Sequence, residues 1–189
     1  ELLDAEQVDC AYIATVPSSH YEITMMCLER RVPVLCEKAM FRNSEEAETA
    51  FARAREQNTF LMEALWSKFL PANEVARRWV REGRIGKPVF SDAAIGFVAP
   101  KDPENRYFSP ELGGGVALDI TVYAYEITAF VLGIEPDIIN VQATRYATGV
   151  DASELVAMRA WDCLCTLRTS FLANLTEGLT IIGEQGRIV

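Results

Sequence analysis

The first third of the chain alternates short apolar runs with segments whose apolar residues recur at helical spacing. The runs at 8–15, 32–36 and 59–64 predict buried strands. The helical stripes consist of Ile23, Met26 and Cys27 in the first segment and of Ala47, Ala50, Phe51 and Ala54 in the second. Strands and helices in this order predict a parallel sheet with right-handed crossover connections.

Capping residues predict where the two helices of this region start. Ser18 and Ser19 follow the first strand, and serine is a common helix cap, so we expect them to cap the first helix. Asn43 and Glu46 have the spacing of a capping box and predict the start of the second helix.

The pattern changes after Trp66. Pro71 and Gly83 predict the first residue and the end of a helix, because proline fits the first helical position and glycine commonly ends a helix. Residues 88–95 predict a strand, and a polar loop follows at 100–106.

The last part of the chain predicts one long helix and then several strands. Three glycines at 113–115 precede a helix expected over 116–132, with Gly133 as its end. Four runs rich in β-branched and aromatic residues follow, at 138–146, 155–161, 163–172 and 179–182. Their spacing without intervening helices predicts an antiparallel meander. The chain therefore reads as a piece of an α/β domain followed by an α+β domain, with a boundary near residues 64–70.

Composition and charge narrow the classes of function. The 189 residues are 50% hydrophobic and 24% charged, as in an ordinary globular protein. The net charge of −9 without a basic cluster argues against a nucleic-acid partner and against binding to an anionic membrane. No uninterrupted apolar run reaches the roughly 18 residues of a membrane helix, so we expect no membrane association. Five cysteines at irregular positions indicate reduced thiols and a cytoplasmic location.

Glu37 and Lys38 are the first candidates for chemistry, because they follow a predicted strand of a parallel sheet. Open α/β sheets bind ligands outside the carboxyl ends of their strands, where a lysine ammonium can contact a substrate hydroxyl. The alternative is a solvated Glu-Lys pair in a loop, and position alone favours that alternative.

Asp119 and Tyr123 are the second candidates. They are spaced i, i+4 and share one face of the predicted long helix, just after the three glycines. A phenol donates a proton at neutral pH, and a nearby ammonium would favour its phenolate, so Tyr123 suits a general acid and base. The alternative is a half-buried tyrosine beside a hydrogen-bonded aspartate, and the pair alone favours that alternative.

No structural metal site is expected. One histidine, His20, cannot form a zinc site, and the cysteines lack C-x-x-C spacing. Cys163 and Cys165 alternate along a predicted strand and are expected to pack in the core. The glycines at 113–115 are not a dinucleotide fingerprint, because Leu118 stands where G-x-G-x-x-G requires its last glycine.

Taken together, these segments resemble the Gfo/Idh/MocA family of NAD(P)-dependent oxidoreductases, and within it the dimeric dihydrodiol dehydrogenase-like branch. The residues that carry the resemblance are 8–15 with His20, 34–38, 61–66, Arg106, 113–123 and 181–188. Each motif is weak by itself, but they occur together in the family's order and spacing over nearly the whole chain.

The resemblance implies a two-domain architecture. Residues 1–67 would form part of a Rossmann dinucleotide-binding domain that lacks its phosphate-loop half. Residues 68–189 would form an α+β substrate and oligomerisation domain with an open, mostly antiparallel sheet, lacking its C-terminal end. The chain is thus expected to be an internal fragment, and its cofactor to be NAD or NADP, since the ribose-reading residues fall in the missing half.

The resemblance also implies roles for individual residues. The catalytic residues would be Lys38, Tyr123 and Asp119, with Tyr123 standing where many members of the family have histidine. Tyr123 would be the general acid and base, and Lys38 would assist it and bind the reacting oxygen. The cofactor-binding residues would be Thr15, His20, Glu37 and Lys38. The substrate-binding residues would be Trp66, Arg106 and Tyr123.

The implied function is hydride transfer between a nicotinamide cofactor and a sugar, polyol or trans-dihydrodiol, by an oxidoreductase acting on CH–OH groups. An alternative is a non-catalytic protein of the same fold that binds a nucleotide or sugar as a regulator or scaffold. Ala39 favours this alternative, because the family usually has proline there. Exposed apolar residues on the C-terminal sheet, together with the resemblance, predict a homodimer.

Overall fold

The computed structural model describes Leu3 and residues 7–189. The chain divides into two compact units. The first consists of Glu1–Leu65 with Glu111–Gly114, and the second of Trp66–Pro110 with Gly115–Val189.

The first unit is a three-stranded parallel sheet, as the alternating pattern predicted. Its strands are β1 (Ala11–Ile13), β2 (Val34–Cys36) and β3 (Leu61–Glu63), in the order β1-β2-β3. The crossovers are α1 (Pro17–Glu29) and α2 (Ser44–Glu56). The strands are shorter than the apolar runs, and their buried side chains pack with residues of both helices in one core.

One of the two predicted helix caps is wrong. Helix α1 begins at Pro17, with Val16 as its N-cap residue and no side-chain cap hydrogen bond. Pro17 has no N–H that needs a partner, so Ser18 and Ser19 lie inside the helix rather than before it. The Ser19 hydroxyl donates back to the carbonyl oxygen of Val16 at 2.9 Å. At α2 the cap is confirmed, because Asn43 Oδ1 accepts the Glu46 N–H at 2.9 Å.

The second unit contains two α-helices and a six-stranded sheet. Its helical segments are a 3₁₀ turn (Trp66–Phe69), α3 (Pro71–Arg81), a π-helical turn (Ala117–Thr121) and α4 (Val122–Leu132). Its strands are β4 (Pro88–Gly96), β5 (Asp137–Arg145), β6 (Asp151–Ala160), β7 (Cys163–Ser170), β8 (Gly178–Gly183) and β9 (Arg187–Ile188). A further 3₁₀ turn covers Pro110–Leu112.

The sheet of the second unit is mixed and mostly antiparallel, in the order β5-β6-β7-β4-β8-β9. The predicted antiparallel meander is confirmed for β5, β6 and β7, but it is wrong for β8, which pairs with β4 instead of β7. Strand β4 lies between β7 and β8, parallel to β7 and antiparallel to β8. Local spacing cannot reveal this arrangement, because the inserted strand comes from a distant part of the chain.

The two faces of this sheet differ. One face forms the core with α4, through buried side chains such as Val131, Val156, Leu167 and Ile181. Cys163 and Cys165 are buried in the same core, as expected. The other face is open, and edge strand β5 is exposed along its whole length. The pairing of β5 with β6 shifts register between Ile138 and Asn140 and again between Thr144 and Arg145.

The predicted long helix exists, but its first part is a π-helical turn rather than an α-helix. Gly133, with a φ of 77°, ends α4 as predicted. By length and composition alone, the stretch Pro110–Leu132, with a mean hydropathy of 1.4, meets the requirements of a membrane-crossing helix. In the structure 44% of an 18-residue apolar window of that stretch is buried inside the protein.

Gly183 of β8 provides a test of the packing beneath the sheet. A Cβ atom at this position would overlap the carbonyl oxygen of Ile85, a backbone atom that cannot move away alone. We expect Gly183→Ala to lower the free energy of unfolding by about 1–3 kcal/mol, measured by urea denaturation. Gly186→Ala is the matched control, because its Cβ would lie 3.6 Å from the Ile85 side chain, an ordinary contact. Equal effects of the two substitutions would contradict this account.

Candidate functional site

The predicted site residues form two clusters, one in each unit. The first cluster lies where the chain leaves β1 and β2. Since these strands are parallel, with Ile13 beside Cys36, the segments that follow them lie at the same edge of the sheet. This edge carries Thr15, Glu37 and Lys38.

His20 connects the two segments of the first cluster. Its ring is 1% exposed, with Nδ1 3.0 Å from the carbonyl oxygen of Ala39 and Nε2 3.1 Å from that of Thr15. The side chain therefore bridges the loop after β1 and the loop after β2. The cofactor-binding role implied for His20 stays a prediction, whereas the bridging of the two loops is observed.

Glu37 is also held in place by hydrogen bonds. The Tyr12 hydroxyl donates to its Oε1, and the Lys38 backbone N–H donates to its Oε2 at 3.3 Å. In the same unit, Glu63 at the end of β3 accepts the Met40 N–H at 2.8 Å. These carboxylates fix the backbone on both sides of Lys38, whose side chain is half-buried.

The second cluster is built on the π-helical turn and α4. Asp151 of β6 accepts the Ala117 N–H at 2.6 Å, at the start of the π turn. Gly115, with a φ of 121°, makes this possible, because a Cβ there would lie 2.6 Å from Asp151 Oδ1. Asp151 thus fixes the start of the helical segment that carries Asp119 and Tyr123, and π turns often occur at functional sites.

Asp119 is paired with Arg106. Arg106 Nη1 lies 3.3 Å from Asp119 Oδ1, and its Nη2 donates to the Tyr107 hydroxyl at 3.0 Å. The guanidinium also lies 4.2 Å from the centroid of the Tyr107 ring. Partial burial by itself would lower the pKa of Arg106, but Asp119 and Tyr107 outweigh burial and raise it. Arg106 therefore keeps its positive charge in the site.

Tyr123 contacts Trp66. The indole Nε1 donates to the Tyr123 phenolic oxygen at 2.8 Å, and the ring centroids lie 6.0 Å apart in an edge-on arrangement. Lys68, two residues after Trp66, pairs with Glu126 of α4 at 2.5 Å. The 3₁₀ turn is therefore attached to α4 at two points, one of them the phenol.

Sequence reasoning missed the residues that support this cluster from the sheet. Besides Asp151, these include Glu154, which accepts the Thr121 hydroxyl at 2.7 Å. Burial raises the pKa of Glu154, although the Thr121 hydroxyl partly offsets this effect. These partners are separated from the helix by more than 30 positions, and no local pattern connects them. Among the described residues, no group of three or more His, Cys, Asp or Glu side chains could hold a metal ion.

Two domain models match the chain. One is described as an oxidoreductase family with an NAD-binding Rossmann fold and covers residues 1–65. The other is the GFO/IDH/MocA C-terminal domain and covers residues 74–189.

Among curated proteins, the chain is similar to trans-1,2-dihydrobenzene-1,2-diol dehydrogenases. It is 32% identical to that of Xenopus tropicalis over 190 residues, which is 100% of this chain and 57% of the relative. It is 33% identical to that of Homo sapiens over 189 residues, which is 95% of this chain and 56% of the relative. The chain thus spans little more than half the length of these relatives.

Several solved structures share the fold. The aldose-aldose oxidoreductase from Caulobacter crescentus, complexed with glycerol, superimposes with a TM-score of 0.90 at 23% identity. The match covers 98% of this chain and 57% of the other. Levoglucosan dehydrogenase, in complex with NADH and levoglucosan, gives a TM-score of 0.88 at 21% identity, over 98% of this chain and 54% of the other. At these identities the likeness establishes the fold.

Asp151 provides a test of how the second cluster is positioned. Asp151→Ala leaves the Ala117 N–H without its acceptor, and we expect a loss of about 1–2 kcal/mol in the free energy of unfolding. Asp151→Asn keeps an oxygen acceptor and should lose less than half as much. Urea denaturation measures both. A loss in the asparagine variant equal to that in the alanine variant would show that the hydrogen bond does not fix the helix start.

Proposed function

Because the chain belongs to the Gfo/Idh/MocA family of oxidoreductases, we propose that it forms part of an NAD(P)-dependent dehydrogenase acting on CH–OH groups. The proposed substrates are trans-dihydrodiols, sugars or polyols. The observation that carries the proposal is the second cluster, in which a phenol and a paired carboxylate lie on successive turns of one helical segment. The names of the curated relatives support the dihydrodiol as one substrate class.

Several groups of the first unit suit a nicotinamide nucleotide. The carboxyl edge of its parallel sheet is the place where α/β sheets bind such ligands. There the Thr15 hydroxyl and the Lys38 ammonium are donors suited to ribose hydroxyls and to a carboxamide oxygen, and His20 holds the two loops together. When bound, the cofactor supplies or accepts the hydride.

Tyr123 is the proposed acid and base. In the oxidation of an alcohol, its phenolate oxygen takes the hydroxyl proton. In the reduction of a carbonyl, its hydroxyl returns that proton to the oxygen. The role proposed for Lys38 is to bind the reacting oxygen through its ammonium group. Asp119, held by Arg106, borders the substrate together with Trp66.

The competing proposal is a binding protein without turnover, and Ala39 in place of the usual proline is the feature that favours it. The two proposals differ in the effect that they predict when Tyr123 loses its transferable proton. A binder needs the shape of Tyr123 but not its transferable proton.

We expect Tyr123→Phe, made in the full-length protein, to lower kcat by roughly 10²–10⁴ while cofactor affinity changes little. Phenylalanine keeps the ring but cannot transfer a proton. Turnover is followed by nicotinamide absorbance with dihydrodiols and polyols as substrates, and cofactor affinity by calorimetry.

Lys38→Met and the double variant complete this test. If Lys38 and Tyr123 act on the same oxygen, the double variant should lose little more activity than the worse single variant. Near-normal turnover of the Tyr123→Phe variant would remove Tyr123 from the mechanism. Cofactor binding with no turnover in the unmodified protein would favour the binder.

We also propose that the protein is cytoplasmic. All five cysteines are free, and four of them are buried, which suits a reducing compartment.

The proposed assembly is a homodimer formed through the open face of the second sheet. Phe90 pairs with Leu164 on one side and with Ile182 on the other, so the three form an apolar row across neighbouring strands. Their exposed fractions are 51%, 49% and 44%. An apolar row of this kind is typical of a surface that a partner covers.

Leu164→Glu would place a charge at one end of this row, next to Phe90. We expect it to convert a dimer to a monomer at micromolar concentration, as measured by sedimentation velocity. Met26→Glu is the control, because Met26 is 45% exposed on α1 in the other unit. A monomeric unmodified protein, or a Leu164→Glu variant that stays dimeric, would contradict the proposed interface.

A further inference from the structure

The hydrogen bond between Trp66 and Tyr123 has only one possible direction. An indole nitrogen is a donor and never an acceptor, so Trp66 donates and the phenolic oxygen accepts, at 2.8 Å. A phenol has one proton and two acceptor positions on its oxygen. Trp66 therefore occupies one acceptor position, and the proton of Tyr123 must be donated in another direction.

We propose that Trp66 is a positioning residue that sets the protonation behaviour of Tyr123. This inference rests on the proposed function, in which Tyr123 transfers the proton. A hydrogen bond to an ionised acceptor is shorter and stronger than one to a neutral acceptor. The Trp66 N–H therefore stabilises the phenolate more than the phenol, and it directs the phenol's proton away from the indole.

The surroundings hold Trp66 in place although its side chain is 56% exposed. The ion pair between Lys68 and Glu126 attaches its 3₁₀ turn to α4. Asn73 of α3 donates to the Ser67 carbonyl oxygen at 2.8 Å, which fixes the turn from its other side. The indole is thus held by the backbone and by its contact with the Tyr123 ring.

Several charged groups on the helical segment of Tyr123 and on the elements packed against it have partners of their own. On the helical segment these are Asp119, paired with Arg106, and Glu126, paired with Lys68. On the elements packed against it they are Glu154 of β6, bound to Thr121, and Arg77 of α3, stacked on Phe130. The proposed mechanism adds Lys38. The Trp66 side chain is a partner in none of these pairs, so Trp66→Phe removes the indole hydrogen bond and leaves these charges in the protein.

The two directions of the reaction should respond differently to loss of this bond. Oxidation needs the phenolate, which takes the alcohol proton while the hydride reduces NAD(P)⁺ to NAD(P)H. Reduction needs the phenol, which gives its proton to the carbonyl oxygen as NAD(P)H is oxidised. If Trp66 favours the phenolate, loss of Trp66 raises the pKa of Tyr123. Ionisation of Tyr123 is what limits kcat in the pH profiles of both directions.

The test is Trp66→Phe in the full-length protein, with kcat measured against pH in both directions. We expect both profiles to move up by about one pH unit, the shift that one charge-assisted hydrogen bond produces. Near neutral pH, oxidation should fall about tenfold and reduction by less than twofold. Trp161→Phe is the matched control, because Trp161 is also 56% exposed and lies in a hairpin turn of the same unit.

Equal losses in both directions, or profiles that coincide with those of the Trp161→Phe control, would overturn the inference. Tyr123→Phe in the same assays separates this outcome from failure of the proposed function. If Tyr123→Phe keeps near-normal turnover, the proposed function is wrong. If it loses turnover while Trp66→Phe leaves the profiles unmoved, only the role of Trp66 is wrong.

A measurement without substrate checks the contact itself. In a protein with every other tryptophan changed to Phe, Trp79 and Trp161 among them, the fluorescence comes from Trp66 alone. Ionisation of Tyr123 should quench this fluorescence as pH rises, because the two rings lie 6.0 Å apart. Adding Tyr123→Phe should remove most of the quenching. Quenching that is the same with and without Tyr123 would show that the two rings do not interact in solution.

Discussion

The second cluster depends on one long-range hydrogen bond, from the Ala117 N–H to the Asp151 carboxylate. This bond attaches the start of a helical segment to a strand of the sheet, and Gly115 leaves the space for it. The residues that follow on the same helical segment make the other contacts of the cluster. Asp119 then meets Arg106, Thr121 meets Glu154, and Tyr123 meets Trp66. The order of these contacts along the chain follows from one fixed end.

The first cluster is organised differently, by bonds to the backbone. His20 is buried and contacts two carbonyl oxygens that belong to loops after neighbouring strands. Glu37 and Glu63 accept backbone N–H groups in the same region. The loops are therefore held by polar side chains, while the strands beneath them are only three residues long. These hydrogen bonds hold the loops at the carboxyl ends of the short strands in defined positions.

The sequence allowed accurate prediction wherever a local signal decides the structure. Pro71, Gly133 and Asn43 act through their own backbone or through a neighbour three residues away, and the elements they delimit were correctly predicted. Prediction failed where the deciding partner is distant in sequence. The insertion of β4 beside β7, and the carboxylates of Asp151 and Glu154, involve separations that periodicity cannot express. The candidate residues were therefore easier to name than the residues that hold them in place.

The irregular pairing of β5 has a consequence for how the molecule avoids unwanted association. An exposed edge strand offers free N–H and C=O groups to any other extended chain, and Ile138, Ile139 and Val141 make this edge apolar as well. Of the two register shifts, the one between Ile138 and Asn140 adds a residue to β5, and the other adds a residue to β6. A β-bulge leaves its extra residue out of the ladder, so the even row of donors and acceptors along β5 is interrupted at Ile139. An incoming strand could therefore not pair in register along the whole of β5, which opposes edge-to-edge aggregation.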